Sequence, residues 1–329
     1  MGVVMKPTIK DIAARSGVSI ATVSRVLSQK TGTYSEKTQA KILRIAKELG
    51  YRKNTAAVEL VKKRSAVIAV ILNATPTNFS TGVIDGIQKR ASELGQGVII
   101  LYAGNRDAQM LHKAIVTALE RTVSGILLTA IEPDDADLTL LKDSGIPFCF
   151  VSLYLNQPKI LSVSSNNESI TSQAVDYLVE QGHTAIALAG IDGYHTGTQR
   201  IAGYEAGLKA HGITTSCIKY GDYSYESGRK LLQEFLPLKV TAIITASDMI
   251  AAGILNAAQE VGIRVPEDLS LVSIDGTIIC NITTPDLTSV TQDFYRIGSR
   301  SVDQVMGHDV ETFVPVKIEK RGSVKQLER

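Results

Sequence analysis

Residues 8–27, TIKDIAARSGVSIATVSRVL, carry two short helical patterns joined at Gly17, and they constrain the chain more than any other stretch. Thr8 is an N-cap residue, and Ile9, Ile12 and Ala13 recur at helical spacing until Gly17 ends the pattern. Ser19 caps a second helix that holds Val23, Val26 and Leu27 on its inner face. Two helices joined by a tight glycine-containing turn read as a helix-turn-helix, whose second helix fits a DNA major groove. A generic helical hairpin is the alternative on pattern alone.

Charge separates the two readings. Residues 1–64 hold 14 Lys/Arg against 4 Asp/Glu, a net of +10, whereas the other 265 residues hold 21 and 29, a net of −8. A basic head on an acidic body is the electrostatic signature of nucleic-acid binding, hidden by the whole-chain net of +2. Ser35 opens a third helical pattern, SEKTQAKILRIAKELG, with Ile42, Leu43, Ile45, Ala46 and Leu49 as its apolar stripe and Gly50 at its end. The segment TAAVELVKKRS that follows is too short to persist as an isolated helix in water, and it reads as a linker or as a hinge that folds against a partner.

From Ala66 onward, short β-branched apolar runs alternate with helical patterns: AVIAVIL, VIIL, GILLT and PFCFVS, then AIALAG, TAIITA and LSLVSI. That alternation predicts βαβ units and two doubly wound parallel sheets, with ligands bound at the carboxyl ends of strands.

The strings GVSIATVSRVL, SEKT and ELGYRKN resemble the head of the LacI/GalR family of bacterial transcriptional regulators, and the likeness runs to the end of the chain. The resemblance implies an all-α helix-turn-helix head (1–53), a hinge helix (54–64) and an α/β body (65–329) of two Rossmann-like subdomains, periplasmic-binding-protein-like. The first lobe would comprise about 65–162 plus 293–311, and the second about 163–292 plus 312–325. It implies a ligand-responsive homodimer on palindromic double-stranded operator DNA, with Ile20, Ala21 and Arg25 facing base edges. The chemistry agrees: Arg25 can pair bidentately with guanine, while Ile20 and Ala21 offer apolar contact to a thymine methyl. Thr8, Ser19, Thr22, Ser24, Ser35, Thr38, Tyr51 and Asn54 match phosphate-contacting positions. Leu60 matches a hinge leucine wedged into the minor groove, although it could equally be an interhelical contact. Lys53 stands where the family often has proline, and Glu59 places an acid beside the wedge.

In the body the same resemblance carries an effector site onto Asn73, Phe79, Thr196, Arg200, Tyr223, Ser247, Asp275 and Gln292. A guanidinium fork at Arg200 suits vicinal hydroxyls or a carboxylate; its bland alternative is a surface helix arginine. Ser247 stands where many sugar-responsive members carry Asn, and Asn166 where Asp is common. A sugar or sugar phosphate is the expected effector, with a phosphate seated at Thr196-Gly197-Thr198; a nucleobase or nucleoside is the alternative. An enzyme is not expected: no G-x-G-x-x-G follows a strand, no Gly-Lys dipeptide occurs, and His112, His183, His195, His211 and His308 lack metal-ligand spacing. No cofactor and no metal is expected. Cys149, Cys217 and Cys280 are odd in number and far apart, which fits reduced thiols in a cytoplasmic, nucleoid-associated protein. Neither a signal peptide nor a membrane span is legible, which argues against a secreted solute-binding module. The absence of a C-terminal heptad tail argues against a tetramer.

Overall fold

The computed structural model describes residues 7–28, 34–51, 65–74, 77–121 and 123–328. The chain divides into two units, Met1–Ser65 and Ala66–Arg329.

The head contains α1 (Ile9–Ser16), α2 (Ile20–Leu27) and α3 (Glu36–Glu48). The Thr8 amide and hydroxyl both donate to the Asp11 carboxylate, at 2.7 and 2.8 Å, which fixes the start of α1 and holds Asp11 below the usual carboxylate range. Gly17, at φ 72°, ends it and donates to the Ala13 carbonyl. Ser19 and Ser35 cap the next two helices by accepting from the Thr22 and Thr38 amides. Ile12, Ala13, Val23, Val26, Ile42, Ile45 and Ala46 fill the core. Leu43 does not join it: with Ile42, Ile45 and Ala46 turned inward, position 43 rotates outward and is 47% exposed.

The body is built on two sheets. The first has order β2-β1-β3-β4-β5, from β1 (Val67–Leu72), β2 (Gly97–Tyr102), β3 (Gly125–Thr129), β4 (Phe148–Val151) and β5 (Leu161–Val163), all parallel. Its crossover helices are α4 (Ser80–Glu93), α5 (Ala108–Glu120) and α6 (Asp135–Asp143). The second sheet has order β11-β10-β9-β8-β6-β7. It uses β6 (Ile186–Ile191), β7 (Ile218–Tyr220), β8 (Ala242–Thr245), β9 (Ser270–Asp275), β10 (Thr288–Gln292) and β11 (Val316–Glu319), the last antiparallel to β10. Around it lie α7 (Asn167–Glu180), α8 (His195–Ala210), α9 (Tyr225–Phe235), α10 (Asp248–Glu260) and α11 (Ile279–Ile282). Strands with helices on both faces are buried throughout, which is why β3, β6 and β8 read as unbroken apolar runs.

Three crossings join the lobes. The chain leaves the first sheet after β5, returns after β10 and leaves again before β11. On its return, α12 (Phe294–Val305) packs against α4 so closely that a Cβ on Gly86 would lie 2.0 Å from the Tyr295 carbonyl oxygen, and one on Gly298 2.1 Å from that of Val83. Phe313 bridges Ser164, and Val314 lies in the first-lobe core, so the return extends to 314 rather than the expected 311. Strand register explains the difference, because Ser164 prolongs β5 and accepts the Val314 amide. Among the described residues no helix is long and apolar enough to cross a membrane.

Candidate functional site

On α2, Ile20, Ala21, Ser24 and Arg25 occupy one exposed arc, while Val23 and Val26 point into the core. Ile20 is 44% exposed, so its side chain is available at the surface of that arc. The Arg25 guanidinium makes no hydrogen bond or ion pair to another described residue. The Ser19–Thr22 and Ser35–Thr38 hydroxyl pairs, each 2.9 Å apart, flank this arc in sequence. Tyr51 packs on the head's core and Thr8 is engaged with Asp11. Asn54 and Leu60, with Lys53 and Glu59, lie outside the described residues.

The body encloses a cavity of about 450 Å³ between its lobes, at the carboxyl ends of strands from both sheets. Asn73, Phe79, Thr196, Arg200, Tyr223, Asp275 and Gln292 all line it. Ser247 does not. Its hydroxyl caps α10 by accepting the Ile250 amide and donates to the Tyr223 carbonyl, so the serine shapes the wall from behind. Asn166 likewise caps α7, accepting the Ser169 amide.

Arg200 is 5% exposed, so it is no surface arginine. Its Nε donates to Asn167 Oδ1 at 3.0 Å and its guanidinium to the Ala246 carbonyl at 2.7 Å, which fixes the fork. Asp275 ends β9 at φ 114° and accepts from Gln292 Nε2 at 2.8 Å. Burial, and then the charge of Asp248, push its pKa up to about 8, against the pull of Arg200. Asp248 itself accepts from the Ser273 hydroxyl and the Gly276 and Thr277 amides. The cavity floor is therefore a guanidinium, a carboxyl that keeps its proton at neutral pH, and an amide. Such a set can donate to and accept from ring hydroxyls. Phe79 and Phe294, ring centroids 5.2 Å apart, form an apolar wall.

The lobes are also tied across the cavity. The Arg106 guanidinium, following β2, pairs with Asp192, following β6, and lies 4.0 Å over the Tyr194 ring. Glu132, following β3, accepts the His195 amide at 2.8 Å and pairs with its Nδ1 at 3.0 Å. The Tyr194 and His195 amides, just ahead of the expected phosphate seat at Thr196-Gly197-Thr198, already face carboxylates of the chain itself, Asp192 and Glu132. Arg106, Glu132, Asp192 and Tyr194 were not singled out from sequence, although Arg106, Glu132 and Asp192 follow strand ends as Asn73 does. A second signal is conformational. Arg106, Ala130, Ser152, Tyr223 and Asp275 all line the cavity with φ between 50° and 114°. Strained backbone collects at binding sites, and composition does not reveal it.

With this geometry in view, residues 8–54 match the bacterial regulatory proteins of the lacI family, and residues 175–315 the periplasmic binding protein-like domain. The lactose operon repressor of Escherichia coli is 31% identical over 328 residues, which covers 96% of this chain and 91% of that protein. The chain belongs to the LacI family of bacterial regulatory proteins. The structure of the lac repressor dimer bound to operator and an anti-inducer matches at TM-score 0.88 and 30% identity, over 98% of this chain and all of that one. A transcription regulator from Lactobacillus plantarum is 42% identical at TM-score 0.72, over 80% of this chain and all of that one. The glucose-bound regulator CcpA of Weissella paramesenteroides matches at TM-score 0.74 and 28% identity, over 79% and 99%.

Proposed function

We propose that this LacI-family regulator binds a palindromic operator as a homodimer and releases or tightens its hold in response to a sugar in the interlobe cavity. The observation that carries this reading is the cavity floor, where Arg200, Asp275 and Gln292 converge on a space of about 450 Å³. That volume lies in the range of small-molecule sites. Glucose in a structurally similar regulator favours a sugar over the nucleobase alternative.

On the DNA side, Arg25 pairs with guanine, Ile20 and Ala21 meet a thymine methyl, and the capping hydroxyls of Ser19, Thr22, Ser35 and Thr38 reach phosphates. A single recognition helix covers half of a palindromic site, so two copies are required. Ile100 and Tyr102 on β2, an edge strand of the first sheet, and nearby Met110 are exposed apolar groups that a second copy would cover. Selection from random duplexes would yield the operator. Titrating the full chain onto it in the presence of glucose or cellobiose tests the reading. Allosteric coupling of ordinary strength corresponds to an affinity change of about 5–150-fold. An operator affinity indifferent to every sugar that binds the protein would remove the effector role.

A further inference from the structure

The cleft contains an anion-binding position that the protein fills with its own side chain. Asp192 is 8% exposed. Its Oδ1 accepts the Tyr194 amide and the Tyr223 hydroxyl, each at 3.2 Å, and its Oδ2 takes the guanidinium of Arg106 from the opposite lobe. One of the two guanidiniums facing the cavity is thus neutralised from within, at the start of a 16-residue helix whose dipole favours negative charge. The rest of the lining deepens the asymmetry: beside Asp192 and the protonated Asp275 it carries five further carboxylic side chains, against the two guanidiniums of Arg106 and Arg200.

We propose that Asp192 is a specificity-determining residue: it occupies the site that an effector's phosphate or carboxylate would need, so the cleft selects uncharged polyhydroxylated ligands. The inference rests on the reading of the cleft as the effector site and narrows its ligand class. An incoming anion must displace Asp192 from Arg106, which leaves a buried carboxylate stripped of its strongest donor, and must then sit among like charges. A neutral sugar meets no such penalty, because its hydroxyls donate to the carboxylates and accept from Arg200. Discrimination is built from a repulsive element held in place, not from the absence of a cation.

Asp192→Asn keeps an acceptor for Tyr194 and Tyr223 but deletes the charge and frees Arg106. The probe is inorganic phosphate, titrated against chloride of equal ionic strength, with thermal midpoint and calorimetric heat as readouts on the full chain. The unaltered protein should show no saturable phosphate effect. Asp192→Asn should gain one, with an apparent dissociation constant at least tenfold lower than any seen without the change. Adding Arg106→Gln should abolish the gain. The inference is overturned if the unaltered protein binds phosphate as tightly as the variant, if Asp192→Asn folds and gains nothing, or if the gain survives loss of Arg106. Should Asp192→Asn fail to fold, glucose 6-phosphate against glucose on the unaltered protein decides: binding of the phosphorylated sugar as tight as that of the free sugar refutes the selectivity. None of these arms requires operator release, so the effector-site reading stands or falls in a different assay.

Discussion

Arg200→Ala tests the cavity floor through its own stability. The guanidinium is almost fully buried and donates to two acceptors, Asn167 Oδ1 and the Ala246 carbonyl, on different elements of the second lobe. Hydrogen bonds from a charged donor contribute about 1.5–3 kcal/mol each, and the orphaned acceptors then carry their own desolvation cost. Together these predict a loss of about 3–5 kcal/mol, the scale seen when one partner of a buried charged network is removed. For a unit of the size of Ala66–Arg329, that lowers the thermal midpoint by on the order of 10 °C. The chain has no tryptophan and 11 tyrosines, so tyrosine fluorescence and circular dichroism in urea are the suitable probes. Asn167→Ala completes a double-mutant cycle, in which the two changes should couple by at least about 1 kcal/mol. A cost below about 1 kcal/mol for Arg200→Ala, or additive behaviour with Asn167→Ala, would refute the network.

Three further perturbations separate the head from the body. Arg25→Ala should leave the thermal midpoint unchanged and weaken operator binding by about 1–3 kcal/mol per half-site, with random DNA nearly unaffected; fluorescence anisotropy on both duplexes checks this. Ile42→Ala, at a fully buried position in a seven-residue core, should cost about 2–5 kcal/mol, enough to unfold so small a head and abolish DNA binding while the body's own unfolding transition stays put. Asp275, raised to about 8, keeps a proton that the unfolded chain, with an ordinary aspartate near 3.9, has lost. Its contribution is therefore full below about pH 4 and declines as pH rises towards about 8; Asp275→Asn should flatten that decline in urea midpoints measured from pH 5 to 8.

Periodicity alone located α1, α2 and α3, because Ile12, Val23, Val26 and Ile42 repeat at a spacing that only a helix places on one face. The apolar runs of β1, β3, β6 and β8 were equally legible, since strands covered on both faces tolerate no polar interruption. Shorter pieces escaped. β5 and β7 have three residues each, too few to show a period, and Leu43 was assigned inward because a stripe reading does not resolve a single position on a three-turn helix. Within the cleft, the residues at the ends of β1, β9 and β10 could be named from the resemblance. The Arg106–Asp192 pair could not, because its members stand 86 positions apart and meet only after two sheets have folded and faced each other. Ser247 shows the converse: a polar residue at a strand end reads as a ligand group, yet helix α10 needed its hydroxyl as a cap.

The most direct test of the central claim is paired titration of one protein preparation. Calorimetry first identifies a sugar that binds the body, with binding lost or sharply weakened in Arg200→Ala. Operator affinity is then measured with and without that sugar at fixed salt. The account predicts a change of about 5–150-fold that disappears in Arg200→Ala while operator binding itself persists. An unchanged affinity at saturating sugar, or a full response without Arg200, would contradict it.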